Sequence, residues 1–89
     1  MASPAYKRLI KDAFNEAAAR HPYPDRPFMI MNGIPQTPNS VAMDVEKENL
    51  NGRAMFEILE FFTKGKELDK AALTRFAENM IRMPKPPAP

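Results

Sequence analysis

The chain has no cysteine, no tryptophan, one histidine, three glycines and two serines in 89 residues. No disulfide can staple it, and a lone histidine without thiols leaves no ordinary transition-metal ligand set. General acid–base catalysis near neutral pH would rest on His21 or on a perturbed carboxylate. His21 sits at a helix end before Pro22, where it reads as a capping residue rather than a catalyst. Ser3 and Ser40 both read as helix caps, and neither has the Gly-x-Ser-x-Gly setting of a nucleophile elbow. Gly33, Gly52 and Gly65 stand apart, without the spacing that cradles phosphate. The chain is therefore expected to be no enzyme, to hold no cofactor or metal, and to take no small-molecule substrate.

Charge of one sign is also missing. Thirteen Lys and Arg against eleven Asp and Glu give +2, and residues 1–26, 27–50 and 51–89 carry +2, −2 and +2. No segment forms the one-sided basic arm of a polyanion binder. Nor does any stretch approach the ~18 consecutive apolar residues of a membrane span. The first residues lack the cationic start and apolar run of a signal peptide, so no membrane partner is expected and the cytoplasm is the expected compartment.

What the chain does have is helical periodicity. Ser3-Pro4 reads as an N-cap with proline at the first helical position. Tyr6, Leu9, Ile10, Ala13, Phe14, Ala17 and Ala18 then line one face, until Pro22 and Pro24 end the helix. Residues 22–40 hold five of the ten prolines, which favours extended structure. Phe28, Met29, Ile30 and Met31 read as a short strand ending in the turn dipeptide Asn32-Gly33. Residues 40–48 admit two readings. Val41, Met43 and Val45 alternate as a second strand would, while Ser40 is able to cap a helix running through Lys47.

Farther on, Asn51 is positioned to cap a helix with Met55, Ile58, Leu59 and Phe62 on its face, flanked by Ala54 and Phe61 and ended by Lys64-Gly65. Asp69 then caps a last helix, with Leu68 and Leu73 spaced as a hydrophobic staple and Leu73, Phe76, Ala77, Met80 and Ile81 as its core stripe. The expected fold is α+β, mainly α: an N-terminal helix, an irregular or β-hairpin segment, and a C-terminal helical pair. Residues 1–83 make one small domain, and the proline-rich residues 84–89 a disordered tail. The tail's PxxP spacing lacks the flanking basic residue of an SH3 ligand.

A domain this small folds with a thin margin, and with disulfides and metals excluded a partner surface remains as the support. The seven methionines include Met29 and Met31, flexible side chains of the kind that adapt to partners. If both faces of the 28–31 strand are apolar, one packs on the helices and the other requires a second chain. The expected function is thus a protein-binding regulator, inhibitor or accessory subunit. It acts on another protein or on itself as a homodimer, through Phe28, Met29, Met31 and Ile34. An alternative is a DNA- or RNA-associated regulator using a helix-turn-helix-like C-terminal pair and Lys64, Lys66, Lys70, Arg75 and Arg82. Against it, Glu67 and Asp69 open the would-be recognition helix and repel phosphate. Asp44, Glu46 and Glu48 read as a solvated acidic edge, since a calcium loop needs a tight glycine turn and a spaced bidentate Glu.

Overall fold

A computed structural model describes residues 3–84. The first helix, α1, spans Pro4–Arg20 and opens as its sequence dictates: the Ser3 hydroxyl accepts from the Tyr6 N–H at 3.2 Å, and Pro4 occupies the first turn where no donor is needed. Tyr6, Ile10, Ala13, Phe14, Ala17 and Ala18 are buried. Leu9 is exposed; it falls about 100° around the helix from Ile10, at the edge of the stripe.

Beyond α1 the chain turns through a proline-rich stretch into a two-stranded antiparallel ribbon, β1 (Met29–Met31) and β2 (Ile34–Gln36). Met29 pairs with Gln36, Ile30 with Pro35 and Met31 with Ile34. Asn32 and Gly33 make the two-residue turn, both at positive φ (53° and 79°), the mirror-image geometry that matches strand twist. The second strand is therefore not Val41–Val45. Pro35 is tolerated because both strands of a two-stranded ribbon are edges, so no ladder donor is missed.

Residues 40–48 resolve as helix. α2 runs Pro38–Lys47, capped three residues earlier than expected by Thr37 rather than Ser40. Thr37 Oγ1 accepts from the Ser40 N–H at 3.0 Å and the Ser40 hydroxyl accepts from the Thr37 N–H at 2.7 Å, a reciprocal capping box. Val41, Ala42 and Val45 are then buried at helical spacing. α3 spans Leu50–Thr63, and its cap is Asn49, not Asn51: Asn49 Oδ1 accepts from the Gly52 N–H at 3.0 Å. Lys64 and Gly65 close it in left-handed conformation (φ 54° and 80°). α4 spans Lys70–Met80, capped by Asp69, which accepts from the Ala72 N–H at 2.8 Å. The described residues thus form four helices and one ribbon, an α+β fold that is mainly α. The proline-rich tail beyond Pro84 lies outside them.

α1 is the shared element, with α2 and α4 both packed on it and α3 packed on α2. The last two helices follow one another in sequence, yet each finds its main partner elsewhere. Alanines at 13, 17 and 18 keep the surface of α1 low enough for two neighbours to approach, and Phe14 meets Phe76 of α4 edge to face at 6.1 Å. The buried Gln36 accepts from the Ser40 hydroxyl at 2.9 Å, so no polar cost remains there. The Leu68 N–H donates to the Tyr6 phenol oxygen at 2.9 Å and ties the α3–α4 connection to α1.

At the α2–α3 crossing, a Cβ on Gly52 would stand 1.9 Å from the Asp44 carbonyl oxygen and 2.9 Å from the Val45 Cα. Both obstacles are backbone, so neither can rotate away. Gly52→Ala is expected to cost about 3 kcal/mol or more, at or above the upper end of the usual range for overpacking. Gly33→Ala meets nothing within 4 Å and carries only the left-handed penalty of about 1–2 kcal/mol. Urea unfolding of both variants checks the order; equal losses would contradict the close crossing.

Candidate functional site

The scaffold of the site is an ion cluster that fixes α2 on α1. Lys7, Arg8 and Lys11 share a face of α1 and meet the two glutamates that end α2. Lys7 Nζ lies 3.0 Å and Lys11 Nζ 2.9 Å from the Glu48 carboxylate, while Arg8 forks onto both Glu46 oxygens, one of them at 3.0 Å. Arg8 also bonds Asp12 at 3.0 Å, and Asn15 donates to Glu46 at 3.1 Å. Hydrogen bonding from Arg8, helped by Asn15, holds Glu46 below the usual carboxylate range against a smaller desolvation effect. Lys11 and Lys7 do the same for Glu48. Glu46 in turn pushes the Arg8 guanidinium further up. Asp44 accepts from the Asn49 side-chain amide at 2.8 Å. The acidic run of α2 is thus neither a simple solvated edge nor a free cation site.

With α2 placed, the Gly52 crossing sets the rotation of α3, which turns Gly52, Met55 and Leu59 inward. Leu50, Ala54, Ile58 and Phe62 follow at steps of four, a ridge that drifts about 40° per step beside the buried face. Leu50 is 69% exposed, Phe62 69% and Phe61 80%. Phe62 was expected in the core; α3 outruns α2, 14 residues to 10, and its last turn passes beyond what α2 covers. The Phe61 and Phe62 rings stand edge to face at 5.9 Å and shield each other in part. At the other end of α3, the Asn32 side-chain amide donates to Asn51 Oδ1 at 2.7 Å, which seats the hairpin tip beside the first turn. Ile30 and Ile34 on that hairpin are 71% and 57% exposed.

No family model, curated protein or solved structure matches this chain.

Of the four side chains expected to bind a partner, Ile34 lies open. Phe28 and Met31 pack against the core and Met29 is half-buried. The Arg82 guanidinium lies 5.9 Å over the Phe28 ring. The strand does divide its faces, but the open one belongs to Ile30. Leu50, Phe61 and Phe62 escaped the sequence reading because a leucine between asparagines looks like a turn residue and a double phenylalanine looks like core. A shallow cleft of about 350 Å³ opens on the other flank of α3, floored by Tyr6, Ile10, Phe56 and Leu59. Its rim mixes signs, and Lys7 and Glu48 there already bind one another.

His21 stands at the far end of α1 from that cleft. Its Nδ1 accepts from the Tyr23 N–H at 2.9 Å, which leaves the proton on Nε2 to be donated to the Arg82 carbonyl at 3.3 Å. Both ring nitrogens therefore hold loops together. The basic residues of the alternative reading do not gather. Lys64 is the α3 cap, Lys66 lies on the cleft rim and Arg82 covers Phe28. Lys70 and Arg75 project about 140° apart around α4. No helix of the described residues is long and apolar enough to cross a membrane.

Because the folded state holds Glu46 and Glu48 below their ordinary 4.5, their contribution is fully present above that pH. It is lost as pH falls through their lower folded-state values. Thermal melts are expected to be flat from pH 7 to 6 and to decline below pH 4.5. Arg8→Gln is expected to flatten that decline, and profiles that stay parallel would show that the cluster does not set it.

Proposed function

We propose that this chain is a non-enzymatic protein-binding module, a regulator or accessory subunit that docks through the apolar flank of α3 and the adjoining hairpin tip. The supporting observation is the 80% exposure of Phe61 beside Phe62, on a helix whose inward face is already filled. With Leu50 these side chains present on the order of 400 Å² of apolar surface, within the range of the largest patches on ordinary monomers, while Ile30 and Ile34 are exposed on opposite faces of the ribbon. Such area is costly to leave in water and is typical of sites that are covered in use.

The catalytic candidates point the same way. Both ring nitrogens of His21 are engaged in loop contacts, and Ser3 and Ser40 serve helix starts. Nucleic-acid association through Lys64, Lys66, Lys70, Arg75 and Arg82 has less support, since those cations share no face and Glu78 sits among them, 3.8 Å from Arg20. Phosphate neutralisation needs them aligned.

The double variant Phe61→Ser/Phe62→Ser separates docking from folding. Being exposed, the pair is expected to change unfolding free energy by no more than about 0.5 kcal/mol, while proteins retained by the immobilised wild type are lost. A stability loss of core size, about 3 kcal/mol or more, with retention unchanged would place the pair in the core and remove the docking surface. Retention that falls steeply with added salt would favour the nucleic-acid reading instead.

A further inference from the structure

Resting on the protein-binding reading above, we infer that the occupant of the α3 flank is a second copy of this chain, in antiparallel α3–α3 contact about a two-fold axis near residue 56. The order of side chains along the ridge is self-complementary. Antiparallel pairing about that point sets Leu50 of one copy against the Phe61–Phe62 pair of the other, and Ala54 opposite Ile58. Bulky groups thus meet at both ends, about 18 Å apart along the helix. A small residue at the centre lets the helices approach. A contact of this kind is isologous and closes at two subunits, as most soluble homo-oligomers do. The ridge advances in steps of four, so interdigitating ridges cross at about −50°.

Charge agrees with the same register. In an antiparallel pair like flank faces like flank, so Arg53 of each copy falls between Glu57 and Glu60 of the other. None of the three forms a salt bridge among the described residues. Two symmetric sets of opposite charge then border the apolar seam, a pairing that a parallel alignment does not give, since there this flank meets the opposite flank of the partner. The area is modest. Leu50, Phe61 and Phe62, with the half-buried Ala54 and Ile58, offer roughly 450 Å² per copy, below the ~800 Å² per partner of a standard interface and of the size that weak, transient contacts bury. The dimer is accordingly expected with a dissociation constant on the order of 10⁻⁶ to 10⁻⁵ M.

The lack of native cysteine makes the test clean, because any engineered thiol is the sole one present. Sedimentation of the full chain is expected to show a concentration-dependent dimer, and Leu50→Ser/Phe62→Ser to weaken it at least about 10-fold with helical content unchanged. Glu57→Cys, beside the two-fold axis, is expected to form a disulfide-linked dimer on mild oxidation, whereas Glu16→Cys on α1 stays monomeric. A chain that remains monomeric at about 1 mM, where a micromolar dimer would be saturated, overturns the self-association. A dimer that survives Leu50→Ser/Phe62→Ser, or that cross-links as well through Glu16→Cys as through Glu57→Cys, overturns the α3 interface. If the chain is monomeric and Phe61→Ser/Phe62→Ser still loses the proteins captured by the wild type, only the identity of the occupant was wrong. If that capture is also unchanged, the protein-binding reading falls with it.

Discussion

The outward-facing apolar side of α3 follows from one close approach, the main chain of α3 at Gly52 against the main chain of α2 at Asp44 and Val45. A helix can rotate about its axis until something fixes its azimuth. Here only one residue type fits the contact, and only one rotation presents that residue to α2. Once Gly52 faces in, Met55 and Leu59 follow at helical spacing and fill the core. The same rotation leaves Leu50 and Phe61 on the far side. Their exposure is the geometric complement of the glycine contact.

The crossing needs α2 held still, and two unequal forces do that. Val41, Ala42 and Val45 sink into the low alanine surface of α1, and this burial supplies most of the free energy. The cluster of Lys7, Arg8 and Lys11 with Glu46 and Glu48 adds little by itself, since its members are a third to half exposed apart from Lys11 and are screened by solvent. Its value lies in direction. Glu48 takes the left-handed position that ends α2 (φ 51°), so its bonds to two lysines of α1 pin the point where the chain turns toward α3. Apolar packing alone would allow α2 to slide along α1, and the forked Arg8–Glu46 contact opposes that sliding.

Local rules were legible wherever a side chain acts on its own neighbours. Ser3-Pro4 and Asp69 start helices as their chemistry requires, and the Leu73 to Ile81 stripe is the face that α4 buries. The second strand was hidden because Pro35 argues against a strand wherever a ladder needs its N–H, and only the isolation of the ribbon removes that need. The start of α2 was displaced because Thr37 and Ser40 can each cap, and a reciprocal box uses both. The candidate site was the least legible part. Phe62 has core spacing relative to Leu59, but whether a neighbour reaches it depends on α2 ending four residues short of the length of α3, which no local pattern records.

That mismatch also explains why the protein keeps phenylalanines at its surface. Reading around α3 from Leu50, apolar side chains occupy roughly 240°, against the 100° or so that one packed neighbour covers. The charged residues Arg53, Glu57, Glu60 and Lys64 sit together in one narrow sector, and within the apolar arc only Asn51 and Thr63 are polar. α2 takes one part of the apolar arc, and the hairpin tip leans on its first turn through Asn32 and Asn51. α4, which could have closed the remainder, is instead committed to α1 by Phe76 against Phe14 and by the Leu68 to Tyr6 bond. A bundle in which α4 covered α3 would have left α1 half bare. Among the described residues no further helix covers both, so the uncovered arc falls on the helix whose apolar surface is widest, where a second protein surface is able to complete it.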